Sequence, residues 1–133
     1  MSQAPNANPF IFNNKFDTGF LQSMYDDDFI YIQEVFTITL DQLSTDLPVV
    51  EIDFEKGDIA SLKKSVHKVK PSFGYVGLLG TEQACKDFED LCGTTSDMAV
   101  LIAPFKNLWA LLHESKDLLI KELTLLETHN KLN

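Results

Sequence analysis

The residues that could do chemistry stand together in one segment, Ser65-Val66-His67-Lys68-Val69-Lys70-Pro71-Ser72-Phe73-Gly74-Tyr75-Val76-Gly77. An α-helix turns about 100° per residue, so His67, Lys70 and Gly74 fall within about a 60° sector of one face. An unperturbed imidazole titrates near about pH 6.5 and is largely neutral at neutral pH. Its free nitrogen carries a lone pair and can attack phosphorus without an adjacent base. A phosphoryl group held there would add negative charge and three acceptor oxygens. Lys70, one turn along, could reach them as a mobile point charge. A mid-helix glycine costs roughly 1 kcal/mol against alanine, and the expected return at Gly74 is clearance for a partner's backbone beside His67. Lys63, Lys64 and Pro71 also project within about 60° of the histidine. The spacing therefore places Lys63, Lys64, Pro71 and Gly74 where a docking partner would meet the helix.

The element that positions these residues begins at Asp58, an N-cap after the Gly57 turn. From there Ile59, Leu62, Val66, Val69, Phe73 and Val76 form a continuous apolar seam at helical spacing. His67 lies beside that seam, so its ring is expected to reach solvent. Pro71 removes the hydrogen bond to the His67 carbonyl and is expected to kink the helix. Before this helix, Asp17 is placed to cap a short helix to about Tyr25, with Phe20, Leu21 and Met24 apolar. The acidic run Asp26-Asp27-Asp28 suits the start of the next, which would bury Phe29, Ile32, Val35 or Phe36, Leu40 and Leu43. Pro48 is expected to break or restart that helix, and Val49–Glu55 has no clear period. After the histidine helix, Gly77–Gly80 is the expected stop and Thr81 the next cap. That helix would bury Ala84, Cys85, Phe88, Leu91 and Cys92 and end at Gly93. Asp97 then caps a long last helix, kinked near its start by Pro104. Residues 1–14, rich in Asn, Pro, Ser and Gln, are expected to form a mobile arm, with 15–133 as the folded domain. Amphipathic helices, short connections and no convincing sheet predict an all-α, up-and-down bundle with a short extra N-terminal helix.

The chain has 133 residues, enough for one domain, and a net charge of −9. This balance argues against non-specific nucleic-acid binding. All eleven basic residues are Lys, so bidentate guanidinium recognition of phosphate or guanine is absent. Lys56, Lys63, Lys64, Lys68 and Lys70 are opposed locally only by Asp58. A basic window on an acidic protein points to a specific anionic partner, although such runs are usually solvated faces. Cys85 and Cys92, seven apart on one helix, would stand about 10 Å apart, too far for a disulfide. They read as buried free thiols of a reducing compartment. No leader pattern and no long apolar run is present, so a cytoplasmic protein without a membrane span is expected.

The segment from Ala60 to Leu79 resembles the histidine-containing phosphotransfer (HPt) domains of multistep two-component signalling. Their signature is near A-H-x-L-K-G-x-x-x-x-x-G, against Val66-His67-Lys68-Val69-Lys70-Pro71 followed by Gly77 here. Pro71 stands where the family usually has Gly, and Val66 replaces Ala. Gly57-Asp58 matches the turn into the histidine helix, Phe88-Glu89 looks like the Leu-Glu pair of the following helix, and Phe29–Phe36 resembles the preceding one. The likeness covers about residues 17–127, and only the histidine helix is specific. It implies a four-helix bundle, His67 as phosphoacceptor and Lys70 as the cation on the phosphoryl side. Gly74 and its apolar neighbours would meet the partner. The implied partners are receiver domains of hybrid sensor kinases and response regulators, which would supply Mg²⁺. The chain itself would need no cofactor and no metal and would have no kinase or phosphatase activity.

Two other classes compete. A non-phosphorylated adaptor on the same bundle would dock receiver or kinase domains without relaying. A metal or ligand bundle would need inward-facing His and carboxylate sets, and no paired Glu-x-x-His pattern is present. His113 is expected to make a local ion pair with Asp117, and His129 to lie in a frayed tail. A bundle with no surplus apolar face is expected to be monomeric.

Overall fold

The computed structural model describes residues 9–132. Five helices follow in order: α1 (Thr18–Tyr25), α2 (Phe29–Glu55), α3 (Ile59–Tyr75), α4 (Leu79–Cys92) and α5 (Met98–Leu132). No strand occurs among the described residues. Helices α2 to α5 pack as a ring in chain order, with α5 closing against α2. The connections between them are short, so successive helices run up and down. The expected four-helix bundle with a short N-terminal helix is the fold observed.

Aspartates start four of the five helices. Asp17 accepts from Phe20 N at 2.8 Å, Asp28 from Tyr31 N at 3.0 Å and Asp97 from Ala99 N at 3.0 Å. Each satisfies an orphan N–H of a first turn. Asp58 accepts from both Ser61 N, at 3.1 Å, and Ser61 Oγ, at 2.8 Å. These bonds hold its carboxyl below the usual aspartate range. The predicted seam of α3 closes the core: Leu62, Val66, Val69, Phe73 and Val76 are all fully buried. Phe36 and Leu43 of α2, with Leu101, Leu112, Leu119 and Leu126 of α5, meet them there.

Three sequence expectations are corrected. Pro48 neither breaks nor restarts α2, which runs unbroken to Glu55. Leu47 and Val50 are buried around it, and Phe54 stacks on Phe105 at 3.9 Å. That packing outweighs one missing hydrogen bond, and the acceptor left over belongs to Ser44, which is exposed. Pro71 and Pro104, expected to kink their helices rather than end them, also lie inside helices that continue past them. Thr81 is not a cap: α4 starts at Leu79, and Leu78 makes no side-chain capping bond. Thr81 is buried, and its hydroxyl finds the buried Ser115 hydroxyl of α5 at 2.8 Å. His129 is not in a frayed tail, since its ring meets Phe10 and Phe29 edge-on, at 5.5 Å from each. His113 sets its ring edge-on to Trp109 at 4.6 Å.

The turn from α3 to α4 depends on Gly77. Leu78 N bonds Phe73 O at 2.9 Å and Gly77 N bonds Gly74 O at 3.1 Å, a Schellman closure of α3. Gly77 takes φ 80°, and a Cβ there would press on Leu21 of α1. Its carbonyl also accepts from Asp17 N at 2.8 Å. One glycine thus ends α3 and seats α1 on the bundle. The expected mobile arm lies outside the described residues over 1–8. Beyond them, Phe12 and Phe16 are buried, Phe16 stacks on Phe36 at 5.6 Å, and Asn13 N donates to the buried Glu122 carboxylate.

Two outcomes test this packing. Pro48→Ala restores a helix donor on an exposed face. The gain of about 3 kcal/mol from the helix, less about 1 kcal/mol of unfolded-state entropy, should raise stability in urea titrations. Both cysteines are free and buried. Burial pushes the Cys85 thiol up to about 12 and raises Cys92 as well. A raised thiol stays protonated and inert below its folded pKa, so at about pH 8 neither should react with a thiol reagent until the protein unfolds.

Candidate functional site

Near the middle of α3 the apolar seam turns inward and His67 is left at its edge. Its side chain is 68% exposed, as the sequence predicted for a residue beside Val66. One ring nitrogen is nevertheless held: His67 Nδ1 lies 2.6 Å from Glu89 Oε1 of α4. The Glu89 side chain is only 8% exposed, set among the buried Cys85, Phe88 and Cys92 of the same helix. Lys70, one turn along α3, places Nζ 2.9 Å from Glu89 Oε2 and 3.5 Å from His67 Nδ1. Oε2 is buried without a well-directed hydrogen bond, so its tie to Lys70 is an ion pair.

These distances decide the tautomer. A carboxylate can only accept, so the short contact to Glu89 puts the proton of neutral His67 on Nδ1. The Lys70 contact to Nδ1 is at the limit of hydrogen-bond length and does not compete. The Nε2 lone pair is then on the other side of the ring, free of Glu89. An exposed imidazole in this form is a fixed nucleophile.

The remaining predicted site residues are spread around α3. Lys63 leans toward the end of α4, where a Cβ on Gly93 would sit 3.2 Å from its Nζ. Lys64 lies on the opposite flank and lines a groove between α2 and α3 with Lys68, Asp46 and Asp53. Lys68 pairs with the buried Asp46 at 3.4 Å. The basic window is therefore divided, with only Lys70 beside the histidine. Pro71 is half-buried inside the helix and cannot donate to the His67 carbonyl. Gly74 is buried rather than open, and faces α4. A Cβ there would overlap the Glu82 carboxylate, the far end of a flexible side chain. The glycine thus makes room for α4 inside the domain.

Glu89 is the site residue that the spacing of α3 could not supply. Its signal lies on α4, where one acid stands in the Cys85–Phe88–Cys92 stripe and must be paired if that stripe is buried.

The Hpt domain family model matches residues 34–127 of this chain. The match spans all of α3 and α4 and most of α2 and α5, and the chain belongs to the Hpt domain family. Its members carry a phosphoryl group on histidine in phosphorelays, act as phosphocarriers rather than enzymes and interact with receiver domains. No curated protein and no solved structure matches the chain. Among the described residues no helix is long and apolar enough to cross a membrane.

Gly74→Ala tests the close approach of α3 and α4. Helix propensity favours alanine by about 1 kcal/mol, against displacement of the half-buried Glu82 carboxylate, the far end of a flexible side chain. Stability in urea should change by less than about 1 kcal/mol, whereas Gly74→Leu should be clearly destabilising because its extra bulk reaches into α4.

Proposed function

We propose that this chain is a phosphorelay intermediate that takes a phosphoryl group from a receiver-domain aspartate onto Nε2 of His67 and passes it to another receiver. The observation that carries this reading is the combination at one ring: an exposed imidazole whose Nδ1 is tied to a buried carboxylate 2.6 Å away. In the forward step the Nε2 lone pair attacks phosphorus, the N–P bond forms, and the aspartyl P–O bond breaks. Aspartate leaves as carboxylate, and the positive charge on the ring is met by Glu89 through Nδ1–H. The reverse step returns the neutral ring without any proton transfer, which suits a carrier loaded and unloaded by the same chemistry. The receiver would bring Mg²⁺ and the groups that stabilise the transferring phosphoryl. Lys63 and Lys64 flank the same helix and Pro71 is half-buried on it, within reach of a receiver covering His67, whereas Gly74 is covered by α4 and serves the packing of the domain. The expected setting is the cytoplasm, with the chain as a monomer.

The test is transfer of label from a phosphorylated receiver domain to the wild type and to His67→Gln. Acid-labile, base-stable label on the wild type alone is the expected result. Absence of label with persistent receiver binding would establish the adaptor instead. Loss of both would remove the receiver partnership.

A further inference from the structure

The family resemblance gives Lys70 to the phosphoryl group, but its ammonium is already engaged. Nζ lies 2.9 Å from Glu89 Oε2, and its approach to His67 is toward Nδ1, at 3.5 Å, not toward the nitrogen that would bear phosphorus. The Lys70 side chain is itself only 22% exposed, so it is packed into this arrangement rather than waving in solvent. Glu89 Oε2, for its part, is fully shielded from water and has no directed hydrogen bond besides that ion pair. Without Lys70, that oxygen would belong to a buried anion lacking a counter-ion, which proteins relieve by binding a proton. A protonated Glu89 could donate to Nδ1. The ring proton would then sit on Nε2, and the lone pair needed for attack would be lost.

We propose that Lys70 is a positioning residue that works through Glu89: it keeps the buried carboxylate an acceptor, which fixes the Nδ1–H tautomer of His67 and presents the Nε2 lone pair. This assignment rests on His67 being the phosphoryl acceptor. It gives the lysine a task before any phosphoryl group arrives.

Two measurements on the full chain decide it. The first is the ¹⁵N NMR tautomer of His67 at about pH 8, above the ordinary histidine range. Wild type and Lys70→Arg should hold the Nδ1–H form, and Lys70→Met should shift toward Nε2–H. An unchanged tautomer in a folded Lys70→Met protein overturns the assignment. Lys70→Gln gives the same comparison should the methionine variant not fold.

The second is phosphorylation by phosphoramidate, which needs no receiver. The Nε2 lone pair attacks phosphorus, the N–P bond of the donor breaks, and ammonia leaves. Lys70→Met alone should slow labelling about threefold, the scale of a single ion pair with one partner still reaching solvent. In a Glu89→Gln background it should change the rate little, because the route through the carboxylate is already gone. A loss of the same size in both backgrounds would mean that Lys70 acts on the phosphoryl group directly. Failure of wild type to take label on His67 would count against the phosphocarrier reading, while the tautomer measurement would still judge the role of Lys70.

Discussion

A carboxylate buried between two helices sets the terms for the rest of this structure. Glu89 belongs to α4, but both of its partners, His67 and Lys70, belong to α3. The acid is buried while His67 is largely and Lys70 partly exposed, and removing either partner leaves its charge less compensated, so α4 is held to a narrow range of positions along and around α3. The sequence meets that requirement at several points. Gly74 lets α4 approach near Glu82. Gly77 reverses the chain within three residues of the end of α3, through its positive φ. Cys85, Phe88 and Cys92 bury the face of α4 that carries Glu89. The site and the packing of α3 on α4 are therefore one construction.

The other flank of α3 repeats the device. Asp46 of α2 is buried, accepts from Gln42 Nε2 at 3.0 Å, and pairs with Lys68. Lys68 and Lys70 follow His67 by one and three residues and are drawn to opposite neighbours, α2 and α4. On the inner face of the helix Val66 and Val69 are fully buried in the core of the bundle. Rotation of α3 by even a fraction of a turn would pull a valine from the core or strand a buried acid. The exposed edge on which His67 stands is thus fixed from three sides.

Much of this was legible in the sequence, for reasons that can be named. The seam of α3 is strictly periodic, and the aspartate caps sit at the helix starts, so local physics and the final fold agree. The histidine's exposure follows from its angle to Val66. Where the sequence misled, a tertiary contact had overruled a local preference. Pro48 signals a helix end, but Leu47, Val50 and Phe54 have partners in the core that carry the helix through. Thr81 is a good cap by type, yet its hydroxyl is matched to Ser115, thirty-four residues away. Spacing alone gives Gly74 to a docking partner, and only the position of Glu82 shows that it faces α4 instead. Glu89 shows in the sequence as an acid within an apolar stripe, but its partners do not. Its importance lies in what stands opposite, and no period within α4 encodes that.

A carrier must release what it accepts, and the chemistry of this edge fits that demand. The chain has no arginine, hence no bidentate clamp for phosphate. Its nearest cation is committed to Glu89, and Lys63, Lys64 and Lys68 sit on either flank of α3. Strong cationic contacts that bound a phosphoryl group equally before and during transfer would only deepen the ground state and slow its departure. On the proposed reading, the domain instead prepares the nucleophile and leaves phosphoryl stabilisation to the receiver, whose groups act only while the two proteins are together. The proton on Nδ1 stays with its carboxylate throughout, so loading and unloading differ only in which P–O or P–N bond breaks. A fixed tautomer on an exposed edge, with no phosphate trap beside it, is what such a reversible transfer requires of the protein that carries the histidine.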